Sequence, residues 1–130
     1  RQLSFGLLDM AWHTLTAPFE GNVIEFEKKA WKAAQVVPEV PGACMSTSFG
    51  HLFAGGYAAG YYGYKWAEVL DADAFSLFKE KGIFNTEVAK SFRDNILSKG
   101  GVEDPAVLYE RFRGKAPSID ALLIRNGIKK

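Results

Sequence analysis

Residues 49–66 read F-G-H-L-F-A-G-G-Y-A-A-G-Y-Y-G-Y-K-W, and this segment guides the interpretation of the whole chain. Four of the five tyrosines lie within eight positions here, beside one of the two histidines and five glycines. Glycine adds no packing volume, and it costs a helix about 1 kcal/mol relative to alanine. The composition therefore predicts a mobile backbone beside a row of hydroxyl groups.

A helix that starts at about Tyr57 would place three of the tyrosines at positions i, i+4 and i+7. At about 100° per residue, these side chains fall within about 60° of one another. The predicted stripe consists of Tyr57, Tyr61 and Tyr64. Tyr62 lies about 140° away from Tyr57 on the same wheel. Its position predicts packing against the body of the protein, with Trp66 and Val69.

The tyrosine stripe has two interpretations from the residues alone. A phenol is neutral near pH 7 and offers one strong donor on a rigid ring, so a row of phenols suits an extended peptide or a developing oxyanion. Tyrosines at helical spacing are also common as half-buried packing residues whose hydroxyls reach water. Both interpretations stay open on this evidence.

Several segments together resemble the thimet oligopeptidase and peptidyl-dipeptidase family of zinc metallopeptidases. Within that family, the resemblance is strongest to the bacterial branch of oligopeptidase A and dipeptidyl carboxypeptidase. Segment 48–67 carries the strongest likeness, and the likeness extends more loosely over nearly the whole chain. The matching runs are R-Q-L-S-F-G-L-L-D-M-A-W-H at 1–13, residues 49–66, G-I-F-N at 82–85 and N-I-L-S-K-G-G at 95–101. Because several runs agree in order and spacing, the resemblance is specific.

The resemblance implies a zinc enzyme, yet the zinc motif is missing from this sequence. Family members bind zinc through H-E-x-x-H on one helix and a more distant glutamate. The two histidines, His13 and His51, lie 38 positions apart and form no such motif. We therefore expect residues 1–130 to be the C-terminal part of a catalytic domain, with the zinc ligands upstream in the same chain.

The same resemblance implies roles for six residues of the central segment. A histidine and a tyrosine stabilise the tetrahedral intermediate, two further tyrosines hold the substrate backbone, and glycines form a loop that closes over the substrate. The matching residues are, in that order, His51 and Tyr64, Tyr57 and Tyr61, and Gly55 and Gly56. The implied partners are short peptide substrates and the upstream part of the chain.

Two alternatives to a peptidase remain at this point. A helical peptide-binding or interaction module would use the tyrosine stripe for recognition without catalysis, since tyrosine contributes strongly to binding. A helical domain with a packed tyrosine seam would have no ligand at all. An upstream H-E-x-x-H motif would favour the peptidase.

Composition excludes some classes of partner. The chain of 130 residues is 48% hydrophobic and 24% charged, which is ordinary for one globular domain. Its net charge of +1 predicts neither nucleic-acid binding nor attachment to an anionic membrane, and the weakly polar run 52–64 is too short for a membrane span. The lone Cys44 indicates a reduced compartment, so we expect a cytoplasmic protein with Cys44 as a small buried hydrophobe.

No segment alternates with period two, so the sequence predicts an all-α fold. The first predicted helix ends near Thr16, and Asn22 caps a second that continues to Val37, with Glu27 on its solvated side. The central helix ends at Gly82. Further starts are predicted at Asn85, at Asp104-Pro105 and at Ser118. Three acidic residues of the central helix should form a solvated or interhelical polar face: Glu68, Asp71 and Asp73.

Overall fold

A computed structural model describes residues 1–130 and contains helices and turns but no strand, which confirms the all-α prediction. The helices are α1 (Gln2–His13), α2 (Val23–Trp31), α3 (Gly63–Lys81), α4 (Thr86–Phe92), α5 (Pro105–Arg113) and α6 (Asp120–Arg125). None of them is both long and apolar enough to cross a membrane. The chain forms two compact units, Arg1–Lys65 and Trp66–Lys130, where its length predicted one.

The core of the first unit joins α1 to the segment before the tyrosines. Leu8 and Leu52 have no exposed surface, and Phe49 is 7% exposed beside them. Full burial of one leucine stabilises a fold by about 1.5–3 kcal/mol. This core therefore anchors residues 49–52 against α1.

Helix α2 begins as predicted and ends earlier. The Asn22 side chain accepts hydrogen bonds from the backbone N–H groups of Ile24 and Glu25, at 2.9 and 3.1 Å. The α-helix stops at Trp31 and is followed by a 3₁₀ turn, Lys32–Ala34. The predicted continuation to Val37 is wrong, and Val37 is exposed.

Glu27 was predicted to lie on the solvated side of α2, and this prediction is wrong. The residue is only 4% exposed. Its carboxylate accepts hydrogen bonds from the backbone N–H of Met45 at 2.9 Å and of Ser46 at 2.7 Å, and from the Ser46 hydroxyl at 2.8 Å. A buried carboxylate requires such donors, because without them burial of the charge is unfavourable. Glu27 therefore fixes the chain ahead of residues 49–52.

Helix α3 ends where the sequence predicted. It stops at Lys81, and Gly82 has a φ of 108°, which favours glycine. Asn85 then caps α4 by accepting from the N–H groups of Glu87 and Val88, both at 3.0 Å. A π-helical turn, Arg93–Leu97, extends α4. The predicted starts near Asp104-Pro105 and Ser118 correspond to α5 and α6.

The second unit contains a buried polar contact between α3 and α5. Asp73, 2% exposed, accepts a hydrogen bond from the Tyr109 hydroxyl at 2.7 Å, and Arg113 Nε lies 3.4 Å from the same carboxylate. Burial, followed by this bond to Asp73, raises the pKa of Tyr109 above its usual range. Asp71 likewise pairs with Arg125 of α6 at 2.6 Å. Asp71 and Asp73 therefore form interhelical contacts.

Replacing Asn85 tests the cap between α3 and α4. Asn85→Ala removes the one side-chain acceptor, Oδ1, of two N–H groups of α4 and should lower the free energy of unfolding by about 1 kcal/mol, measured by urea denaturation. Asn85→Asp keeps the acceptor oxygen, loses only the bond from Asn85 Nδ2 to Lys81 O, and serves as the control, with a smaller loss of stability than Asn85→Ala. Equal losses for the two variants would contradict a capping role.

Candidate functional site

The tyrosine segment is mostly not helical, contrary to the prediction. Helix α3 begins at Gly63, so Tyr57 and Tyr61 lie in irregular turns before it and only Tyr64 is on the helix. The backbone takes positive φ values at Gly55 (76°) and Gly56 (75°), which a regular helix does not contain. Within the predicted helix, Ala59 also has a positive φ of 53°, and residues 57–62 form a folded loop instead of a helix.

His51 reaches the surface because its neighbours are buried. It lies in a 3₁₀ turn, Gly50–Leu52, between Phe49 and Leu52, and both of these belong to the core. Burial of these two anchors leaves the imidazole exposed. The turn therefore presents His51 toward the loop that carries the tyrosines.

Four of the predicted site residues, His51, Tyr57, Tyr61 and Tyr64, lie together, and we call them the tyrosine cluster. The rings of Tyr57 and Tyr64 stack with centroids 5.4 Å apart and an interplanar angle of 16°. The His51 ring lies 5.0 Å from Tyr57, 5.3 Å from Tyr61 and 6.1 Å from Tyr64. The side chains of Tyr57 and Tyr64 are 39% and 38% exposed, so the cluster is open to a ligand.

The cluster rests on apolar rings beneath it. Tyr61 is half-buried and packs edge-on against Phe49, with centroids 4.8 Å apart, and against Phe5 of α1 at 5.8 Å. Tyr61 in turn contacts Tyr64 at 5.1 Å. The ring of Tyr61 therefore connects the exposed part of the cluster to the core.

Tyr62 was predicted to be the packing tyrosine, and this prediction is wrong. It is 60% exposed, and Trp66, its predicted neighbour, is 53% exposed, whereas Val69 is buried as expected. The error follows from the helical wheel, since residues 57–62 do not follow helical geometry. The half-buried tyrosine is Tyr61.

The sequence interpretation assigned no role to Asp9, which the structure places at the base of the loop. Asp9 has no exposed surface, and its two carboxylate oxygens accept from the backbone N–H groups of Ala59 and Tyr61, each at 3.0 Å. His13 Nδ1 lies 3.0 Å from the same carboxylate. A carboxylate next to a buried leucine and four residues before a histidine was the available signal in the sequence.

The hydroxyl of Tyr64 remains protonated at physiological pH. Hydrogen bonding with Tyr57, followed by partial loss of water and the neighbouring Tyr61, raises the pKa of Tyr64 above its ordinary value. A phenol in this state is a neutral hydrogen-bond donor at physiological pH. Tyr64 can therefore donate a hydrogen bond to a carbonyl oxygen or to an oxyanion.

Other chemical groups of the chain lie apart from the cluster. No three His, Cys, Asp or Glu side chains are placed to hold a metal ion. A cleft of about 570 Å³ lies in the first unit, lined among others by Glu27, Trp31 and Cys44 and by no member of the cluster. Cys44 is half-buried and donates to Glu27 at 4.0 Å, so it is not the buried hydrophobe predicted.

Comparison with known proteins gives a consistent result. The model of Peptidase family M3 matches residues 1–128. The chain is 52% identical over 130 residues to oligopeptidase A of Escherichia coli, 44% identical over 133 residues to a probable cytosolic oligopeptidase A of Arabidopsis thaliana, and 42% identical over 130 residues to dipeptidyl carboxypeptidase of Salmonella typhimurium. Each match covers 98–99% of this chain and 19% of the relative. The chain thus spans about a fifth of the length of these relatives.

Removing the Tyr57 hydroxyl tests the contact that raises the pKa of Tyr64. In Tyr57→Phe, the pKa of Tyr64 should fall toward the ordinary value of about 10, measured by nuclear magnetic resonance of ring-labelled tyrosine. Tyr62→Phe is the matched control, since Tyr62 is exposed and should leave the titration of Tyr64 unchanged. An unchanged pKa in Tyr57→Phe would rule out the hydroxyl contact as its cause.

Proposed function

The chain belongs to peptidase family M3, and we propose that it is the C-terminal part of the catalytic domain of a zinc metallo-oligopeptidase. The proposed substrates are short peptides, in keeping with relatives named oligopeptidase A and dipeptidyl carboxypeptidase. The cytoplasm stays the predicted compartment, and one plant relative is named a probable cytosolic enzyme.

The proposed division of labour follows from the chemical groups in the chain. No cluster of metal-binding side chains lies within residues 1–130, so we assign zinc to the upstream part of the whole protein. Zinc in such enzymes acts as a Lewis acid toward the bound carbonyl and water. The residues described here would bind the peptide and stabilise the negative charge that develops during hydrolysis.

The observation that carries this proposal is the contact of Tyr64 with both Tyr57 and His51. Hydrolysis of a peptide bond places negative charge on the carbonyl oxygen, and a fixed neutral donor stabilises that charge. Tyr64 lies in the first turn of α3 and is 38% exposed, and its raised pKa keeps the hydroxyl protonated as a donor for the oxyanion. We assign Tyr64 and His51 to the oxyanion.

Substrate positioning falls to the other members of the loop. Tyr57 is 39% exposed and stacks on Tyr64, and Tyr61 packs against the core, so their hydroxyls would bind the peptide backbone at separate points. A Cβ at Gly56 would have no neighbour within 4 Å, and a Cβ at Gly55 would lie 3.5 Å from the Tyr57 ring. These glycines would let the substrate backbone approach the loop closely.

Replacing Tyr64 in the full-length protein tests the assigned donor. Tyr64→Phe should lower kcat by about 100-fold, because one oxyanion donor is lost, while zinc content stays unchanged. Peptide hydrolysis and metal analysis are measured on the same sample. Tyr62→Phe is the control and should retain turnover close to that of the unchanged enzyme. Near-normal turnover in Tyr64→Phe would remove Tyr64 from this role.

Replacing Tyr57 separates binding from catalysis. Tyr57→Phe should raise KM several-fold with a smaller change in kcat, since a contact made equally in the ground state and the transition state affects binding. Steady-state kinetics with a short peptide gives both constants. A lower stability without any change in KM would instead favour a packed tyrosine seam. Peptide binding without hydrolysis by the full-length protein would favour a recognition module.

A further inference from the structure

We propose that Asp9 is a positioning residue for the tyrosine cluster, acting through the backbone of Ala59 and Tyr61. The inference rests on the function proposed above for the cluster. Asp9 lies on α1 and has no exposed surface. Its carboxylate binds backbone N–H groups, not the rings of the cluster. Asp9 therefore acts on the substrate only through the residues that it positions.

The geometry of the Asp9 contact fixes a short turn of backbone. Oδ1 accepts from Ala59 N and Oδ2 accepts from Tyr61 N, both at 3.0 Å. One planar carboxylate thus holds two N–H groups of the same turn, so their relative orientation is determined by its plane. The second of these N–H groups belongs to a residue of the cluster.

The turn requires this support because of Ala59. Its φ is 53°, and it is the one non-glycine residue of the chain with a positive φ. An L-residue with a Cβ is disfavoured in this left-handed region, and such a conformation persists only where surrounding contacts impose it. Ala59 is itself exposed, so side-chain packing does not impose it. The turn is closed by a hydrogen bond from Gly60 N–H to Tyr57 O at 2.8 Å, and the bond from Ala59 N–H to Asp9 holds this turn against α1.

The Asp9 carboxylate is itself held in place by α1. His13 Nδ1 lies 3.0 Å from Oδ1 and 2.8 Å from the Asp9 backbone oxygen, one helical turn away. The His13 side chain is 20% exposed, and its ring lies 5.6 Å from that of Phe53. The Asp9 side chain that binds the loop is therefore oriented by a contact within α1.

The position of Tyr61 connects the turn to the reacting groups. Its ring contacts those of Tyr64 at 5.1 Å and His51 at 5.3 Å, so a shift of its backbone moves the surroundings of both. A displacement of about 1 Å in a catalytic site can cost about 100-fold in rate. Glu27 accepts comparable hydrogen bonds from the backbone N–H groups of Met45 and Ser46, but these two residues are not members of the cluster.

Asp9→Asn in the full-length protein tests the proposal. The amide has the same shape, but its NH₂ group would face a backbone N–H donor, so one of the two bonds to the turn is lost. We expect kcat to fall by about 100-fold with zinc content unchanged. We also expect faster hydrogen exchange at the amides of Ala59 and Tyr61, which a change elsewhere in the protein would not produce.

Asp73→Asn provides the matched control. Asp73 is also buried and also accepts hydrogen bonds, but it lies in the second unit with Tyr109. Asp73→Asn should lower stability and leave kcat and the exchange of the Ala59 and Tyr61 amides close to normal. A kcat for Asp9→Asn no lower than that for Asp73→Asn would overturn the proposal.

Introducing Asp9→Asn into a protein that lacks two of the tyrosine hydroxyls separates a positioning role from a general loss of structure. If Asp9 acts through the tyrosines, Asp9→Asn should cause little further loss of kcat/KM in a protein that already carries Tyr61→Phe and Tyr64→Phe. An undiminished further loss would overturn the proposal. If Tyr64→Phe alone has normal turnover, the proposed function of the cluster fails, while the amide exchange of Asp9→Asn still decides whether Asp9 holds the turn.

The unchanged protein supplies a test that does not depend on folding of a variant. Hydrogen exchange at Ala59 and Tyr61 should be among the slowest within residues 53–62, because their N–H groups are bonded to a buried carboxylate. Exchange as fast as that of the neighbouring turn residues would overturn the proposal even if Asp9→Asn does not fold.

Discussion

The carboxylate of Asp9 accepts hydrogen bonds from the backbone N–H groups of Ala59 and Tyr61. These residues are not helical, so helix carbonyl groups do not bond their N–H groups. Buried or half-buried backbone groups need partners, and an irregular loop must obtain them from elsewhere in the fold. The loop between His51 and Gly63 has few hydrogen bonds of its own, so a side chain from α1 supplies the missing acceptors. The arrangement of the tyrosine rings follows from that contact.

A loop held in this way combines two properties that a regular helix does not. Its backbone is fixed at one point by a buried carboxylate, and its glycines leave the neighbouring surface open. Donors for a peptide substrate need both, since they must be oriented in advance and still be accessible. The chain belongs to peptidase family M3, and in the proposed function this surface binds the substrate while the metal ligands lie in a different part of the whole protein.

Local signals predicted much of the fold. The caps at Asn22 and Asn85 and the stop at Gly82 depend on a few adjacent residues, and each was found where expected. The three tyrosines of the cluster were grouped on a helix that residues 57–62 do not form, and His51 was added only through the family resemblance, yet the four rings do lie together. The buried acidic residues could not be predicted in the same way, because Glu27 and Asp9 are satisfied by backbone from distant positions. Tertiary hydrogen bonds of this kind leave no pattern in the neighbouring sequence.

The separation in sequence between Asp9 and its two partners, 50 and 52 positions, has a consequence for the order of folding. Closing a loop of that length costs chain entropy, whereas the caps of α2 and α4 close within three residues. The capped turns can therefore form early, and the tyrosine loop acquires its final shape only after α1 has docked. The candidate site is therefore the part of the first unit that is completed late, and it is the part that is lost first when α1 detaches.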